Sequence, residues 1–301
     1  MKATAVFLLI ITVSLSCTKI IDIDLPDHES KLVINSLFKR GERIGVNISR
    51  STSILGGLPP GVSGASINLY RNGTLVETSV AGGSMFYAGF GAVENGVYTI
   101  EVSCPGFETV TATDSLPSKT VLNYAESTDE VWTDEIGMRH RLLILGFSDN
   151  DPNKNYYELK LKVRFLSRNS LSDDYTYVTE LANIGGVMHP VLAESEQYYI
   201  LTKGFLFDDS KFENGDCNLK VFAGVNNNKS SEYQLIIEFN SVSENYYKYK
   251  KQLGVYLKKE DGDIFEGIPN PVNLFSNIEN GYGIFAGYLS DRIVLNISDK
   301  K

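Results

Sequence analysis

The residue with the most definite chemistry is Cys17, which closes a leader of distinctive pattern. Lys2 supplies a positive n-region, residues 5–15 form an apolar run too short to span a bilayer, and small Ser14 and Ser16 bracket a cleavage region. A lone thiol at the end of such a leader is the arrangement of a bacterial lipoprotein signal. The sulfur is diacylated, the bond before it is cut, and the freed amine is often acylated in turn. Two or three acyl chains anchor a protein stably where one does not. Leu15 stands where a small residue is usual. The expectation is a signal peptide at 1–16 and lipidation of Cys17; an ordinary secreted protein cut near Cys17 is the plainer alternative.

Other side chains offer chemistry less sharply. Asn277, Glu279, Asn280 and Tyr282 lie among Gly281, Gly283 and Gly287, where they could converge on a ligand or partner. Polar residues beside glycine more often serve turns, so the segment 277–287 reads chiefly as a folding element. Gly281 is expected at positive φ, with Gly283 and Gly287 on a strand packed against a helix. Asp149, Asp151 and Asn153 place oxygens at alternate positions as a calcium loop does. They lack the Gly and distal Glu of an EF-hand, and an Asx-rich turn is the plainer reading, so no metal is expected. His28, His140 and His189 are far apart, with no His-x-x-x-His, Cys-x-x-Cys or Gly-x-Ser-x-Gly. Zinc chemistry and triad hydrolysis are therefore disfavoured, no cofactor is expected, and an enzyme is the reading these residues support least. With Cys17 acylated, Cys104 and Cys217 remain, a pair that an oxidising compartment could join but no disulfide framework.

These residues must be carried by strands. Tyr (17) and Phe (15) far outnumber Trp (1) and Met (4), which is the usage of sheets joined by tight turns. The chain carries a net charge of −9, and loss of the leader removes Lys2 as well. That acidity argues against nucleic acid or anionic lipid as a partner. After a tether at 17–30, alternating runs at 31–38, 43–51, 65–70, 74–79, 85–88, 97–103 and 108–113 are punctuated by Gly, Pro and Asn-Gly turns. They read as an Ig-like or transthyretin-like sandwich over 31–117. Longer runs at 120–127, 141–147, 156–166, 198–206, 217–223, 233–243, 282–290 and 292–297 read as a second antiparallel sandwich over 118–301, with 168–175 as a polar loop. One segment breaks the β pattern: 243–253 predicts a helix with Ser243 as N-cap and Gly254 as its stop. The expected fold is thus mainly β, two antiparallel sandwiches with one short helix.

Ser276-Asn277-Ile278-Glu279-Asn280-Gly281, followed by Gly283, Ile284, Phe285 and Gly287, resembles the C-terminal signature of the DUF4249 family, a group of Bacteroidota lipoproteins. Ile21-Asp22-Ile23-Asp24-Leu25-Pro26, Lys31-Leu32-Val33-Ile34-Asn35, and Asp151 with Asn155-Tyr156-Tyr157 agree with it. The resemblance implies outer-membrane attachment and frequent neighbourhood with TonB-dependent transporters, and it carries no catalytic residues. Where members usually read Pro-Phe, this chain has Asp263-Ile264-Phe265-Glu266-Gly267, so no loop function is carried across. Asp114-Ser115-Leu116 also resembles the Asp-Ser/Thr-apolar acceptor for O-glycosylation in exported Bacteroidota proteins, in what reads as an interdomain linker. The function expected is an accessory or ligand-binding protein working beside a TonB-dependent transporter in nutrient uptake. A structural or adhesive surface lipoprotein is the alternative.

Overall fold

The structure is a computed structural model that describes residues 28–53, 57–168, 174–212, 215–224, 232–260 and 273–298. Cys17, the leader, most of the tether, Asp261 and Asp263 lie outside the described residues. The chain is mainly β, as its alternation predicts. Strands β1 (Leu32–Lys39), β2 (Arg43–Arg50), β3 (Ser66–Arg71), β4 (Thr74–Val80), β5 (Met85–Gly91), β6 (Val97–Ser103) and β7 (Val110–Ser115) come first. Then follow β8 (Leu122–Thr133), β9 (Arg139–Ser148), β10 (Tyr156–Arg168), β11 (Tyr175–Leu181), β12 (Asn183–Val187), β13 (Phe205–Asp208), β14 (Asp216–Gly224), β15 (Glu232–Val242) and β16 (Tyr282–Ser298).

Among the described residues the strands form three sheets. The largest has the order β11-β10-β15-β16-β1-β2-β5, with β13 also paired to β10; the other two run β12-β14-β9-β8 and β4-β3-β6-β7. Side chains alternate between faces along a strand, and β16 shows where the cores sit. Its Phe285 and Leu289 enter one core, built mainly on β1, β2, β3 and β6. Its Ile297 enters a second core built on β9, β10, β14 and β15, against which Ile293 and Leu295 also pack. All five are odd-numbered and the strand pairing is unbroken through this stretch, so both four-stranded sheets cover the same face of the large one.

The closing strand departs from the expected pattern. The runs at 282–290 and 292–297 are one strand of 17 residues. Its first half pairs in parallel with β1, Val33 opposite Tyr282 through Lys39 opposite Tyr288, and its second half pairs antiparallel with β15. Asp291, which reads as a break, accepts a hydrogen bond from the Leu122 amide at 3.1 Å. Ile278, Phe285 and Leu289, all C-terminal to the expected division at residue 117, belong to the core of the N-terminal strands.

Helical content also differs from expectation. Part of the run 198–206 is helix α2 (Tyr199–Thr202), preceded by α1 (Pro190–Glu196); only its end is strand β13. The start signal of α1 is local: Pro190 occupies the first turn and His189 Nδ1 accepts from the Val191 amide at 3.3 Å. The predicted helix exists as α3 (Glu244–Glu260), and Ser243 Oγ accepts from the Tyr246 amide at 3.2 Å as a cap does. It does not stop at Gly254. There the missing side chain admits α2, since a Cβ would stand 3.0 Å from Thr202 Cγ2 and 3.1 Å from Tyr198 Cγ. Tyr246 packs with Ile284 and Ala286, the even positions of β16, so α3 covers the opposite face of the large sheet. In the region 168–175, β10 continues to Arg168 and β11 begins at Tyr175. Cys104 and Cys217 are both free thiols. They pack on different cores, and burial pushes the Cys217 thiol up to about 12.

Candidate functional site

In the C-terminal signature, the polar side chains of Asn277, Glu279 and Asn280 bond to neighbouring strands and turns. Asn277 Nδ2 donates to Phe285 O at 2.8 Å and its Oδ1 accepts from Phe285 N at 3.0 Å, closing the turn that enters β16. The Glu279 amide donates to Thr111 O at 2.8 Å, while its Oε2 accepts from Thr111 Oγ1 at 2.9 Å. Asn280 Nδ2 donates to Thr109 O at 3.3 Å. The segment therefore ties β7 to β16, and Tyr282, the first residue of β16, is about half exposed. The positive φ falls on Asn280 (61°) and Gly283 (112°), not on Gly281. Gly281 is required by close approach instead: a Cβ there would stand 2.6 Å from Leu32 O and 2.8 Å from Val110 Cγ1. Gly283 abuts the backbone of Ile34, and Gly287 abuts Ser115 and Phe38. These glycines thus face β1 and β7, while α3 meets the residues between them.

Asp114 joins three elements. Its Oδ2 accepts from Ser243 Oγ at 2.5 Å and from the Gly287 amide at 2.9 Å, and its Oδ1 accepts from Asn245 Nδ2 at 3.2 Å. Burial raises its pKa against the pull of these donors. Ser115 is the half-buried last residue of β7, paired opposite Val97, rather than part of a free linker. At the turn before β10, Asp149 accepts from Tyr157 Oη at 2.6 Å and from Asn155 Nδ2 at 3.2 Å. Asp151 Oδ1 accepts from the amide and side chain of Asn153 at 3.0 and 2.8 Å. This is Asx-turn chemistry, and no cluster of three or more His, Cys, Asp or Glu placed to hold a metal occurs among the described residues.

Sequence reasoning passed over two features. The first is Glu158, fully buried on β10. Its Oε2 accepts from Tyr246 Oη at 2.7 Å and Asn240 Nδ2 at 2.9 Å and pairs with Lys160 Nζ at 2.9 Å. Lys250 Nζ stands 3.7 Å from Oε1 and donates to Thr202 O at 2.7 Å. Burial lowers the Lys250 pKa and Glu158 opposes that shift. The cluster clamps α3 onto β10 and β15. Its only sequence signal is an acid standing in an alternating strand.

The second is the outer face of the sheet β12-β14-β9-β8. Tyr124 on β8 sends its hydroxyl to Asn218 Oδ1 on β14 at 2.6 Å, passing over Gly146 on the intervening β9. Two side chains that together bridge two strand spacings, about 10 Å, must lie along the sheet, and Gly146 makes room for the ring: a Cβ there would overlap it. Trp132 packs against His140, with ring centroids 5.2 Å apart and planes 35° from parallel, and its ring also meets Gly185, where a Cβ would stand 2.7 Å from Trp132 Cζ3. Tyr124 is 44% exposed and Trp132 43%. Each aromatic side chain is therefore packed in part on the sheet and in part open to solvent.

Residues 18–293 match the family described as Domain of unknown function (DUF4249). The chain belongs to the DUF4249 family. No curated protein matches it in sequence. In this DUF4249 chain two signature stretches are neighbours: residues 32–35 of β1 pair alongside the strand that follows Gly281, with Asn35 opposite Ile284. A third, Asn155-Tyr156-Tyr157, opens β10 beside Asp149, and the stretch 21–26 lies outside the described residues. The signature thus marks the joints of the large sheet.

Proposed function

We propose that this chain is a lipid-anchored outer-membrane protein that captures a ligand beside a TonB-dependent transporter. The anchor rests on the leader and Cys17, and the transporter neighbourhood on the family resemblance. The observation that carries binding over scaffolding is the pair of aromatic side chains, Tyr124 and Trp132, each packed on one sheet and each more than two-fifths exposed. Aromatic faces held in one orientation lose little conformational freedom when a ligand covers them. The signature segment uses Asn277, Glu279 and Asn280 in bonds to β7 and β16, which gives those side chains a structural role.

Two measurements test this reading. In membrane fractionation the wild type sediments with membranes and takes up labelled fatty acid, whereas Cys17→Ala is soluble or remains an uncleaved precursor. Affinity isolation of the tagged chain from cross-linked native membranes, read by mass spectrometry, recovers a TonB-dependent barrel. Recovery of no barrel, together with attachment to surface or matrix polymers, contradicts the accessory role and favours the adhesive one.

A further inference from the structure

We propose that the outer face of the sheet β12-β14-β9-β8 is a binding site for an uncharged glycan, with Tyr124 and Trp132 as its two stacking platforms. This deepens the ligand-capture reading and rests on it. The two rings mark the ends of a track along β9. Tyr124 lies over Gly146 and Trp132 over His140, six residues apart, or about 20 Å at the rise of a strand. Between them the face carries Ile144, flanked across the strands by exposed Glu126 on β8 and exposed Lys220 on β14. Phe222 of β14 stands beside Trp132, ring centroids 6.5 Å apart.

The chemistry narrows the occupant. A pyranose presents an apolar face of C–H groups and a rim of hydroxyls. It can lie on an open aromatic ring while its rim meets the Asn218 amide, the Glu126 carboxylate and the Lys220 ammonium, which together supply both donors and acceptors. One carboxylate opposite one ammonium leaves the centre of the track without net charge, which complements an uncharged polyol. An anionic polymer would also meet a chain of net charge −9. The buried core of a protein–protein interface is depleted of charged residues, whereas here the row between the rings, Glu126–Ile144–Lys220, carries an exposed charge at each end. Gly146 accounts for how the Tyr124 ring lies flat and Gly185 for how closely Trp132 packs, since aromatic side chains commonly cover sheet glycines. That packing leaves more than two-fifths of each residue in water, and the exposed surface is what the proposal uses.

Trp132 is the only tryptophan in the chain, so its emission reports on this site alone. The full chain, as processed by its producing cell and held in detergent, is titrated with neutral hexasaccharides of glucose, xylose, mannose and galactose in α and β linkage. Polygalacturonate is the charged control. At least one neutral hexasaccharide is expected to shift the emission saturably, and Tyr124→Ala to weaken that binding about tenfold or more with a melting temperature within about 3 °C of wild type. Trp132→Ala, followed by affinity electrophoresis in the matching polysaccharide, should lose its retardation. The proposal is overturned by an absence of shift and retardation across the panel, by binding that survives both substitutions, or by a response to polygalacturonate alone. Recovery of the barrel is scored in parallel. A barrel complex that Tyr124→Ala or Trp132→Ala disrupts, without glycan binding, makes this face a protein interface and retains the accessory role. Glycan binding without a barrel does the reverse.

Discussion

Asp114 shows how a residue of a short local motif can also join elements far apart in the chain. Its partners, Ser243 and Gly287, are 129 and 173 positions away, a separation at which no local pattern of Asp-Ser-Leu carries a signal. Because burial raises its pKa above that of an unfolded aspartate, the folded chain holds this proton more tightly. The stability this group contributes is present in full below the ordinary carboxylate value, about 3.9, and is lost as pH rises through the folded pKa. Denaturant midpoints of wild type and Asp114→Asn, compared at pH 4 and pH 7, should show the wild type losing ground to the amide at the higher pH. Asp114→Ala should cost about 1–3 kcal/mol at either pH, because it strands the Ser243 hydroxyl and the Gly287 amide. The same limit of local pattern explains Gly281. Its place in a turn was legible, but the need for close approach to Leu32 and Val110, rather than for positive φ, depends on strands from the other end of the chain.

Strands were the most legible elements, because alternation survives wherever one face is buried: Tyr157, Leu159, Leu161, Val163 and Phe165 of β10 all enter the core. What alternation does not encode is which strand lies alongside. The parallel pairing of β1 with β16 joins the two ends of the described chain, and the charged Asp291 disguised β16 as two strands. Helix α3 was read correctly at Ser243 and too short at Gly254, since a glycine admitting a neighbouring helix looks the same in sequence as a glycine ending one. Gly283 is where pairing and packing meet. A side chain there would have to sit at φ 112° and against the Ile34 carbonyl, so Gly283→Ala should cost about 3 kcal/mol. Differential scanning calorimetry should show a fall of about 6–12 °C in melting temperature at the usual few degrees per kcal/mol. An unchanged melting temperature would mean that β1 and β16 do not pair as described.

At the scale of the molecule, the large sheet joins both cores. The N-terminal core takes Ile278, Phe285 and Leu289 from segments at the far end of the chain, so the strands up to residue 117 cannot complete it. Two expectations follow from that shared sheet: one calorimetric transition with equal calorimetric and van't Hoff enthalpies, and a fragment 31–117 that stays unfolded by circular dichroism. Two separate transitions, or a folded fragment, would show that the sandwiches are independent. The central claim is a division of labour, in which the family signature builds the fold and the open face of Tyr124 and Trp132 binds. It is tested most directly by measuring thermal unfolding and ligand retention together on Gly281→Val and on the double variant Tyr124→Ala/Trp132→Ala. The account predicts that Gly281→Val lowers melting temperature and yield, while the double variant melts within about 3 °C of wild type, a change of roughly 1 kcal/mol, and retains no ligand. A fully stable Gly281→Val protein that has lost its ligand, beside a double variant that still holds it, would contradict the claim and make the signature segment the site.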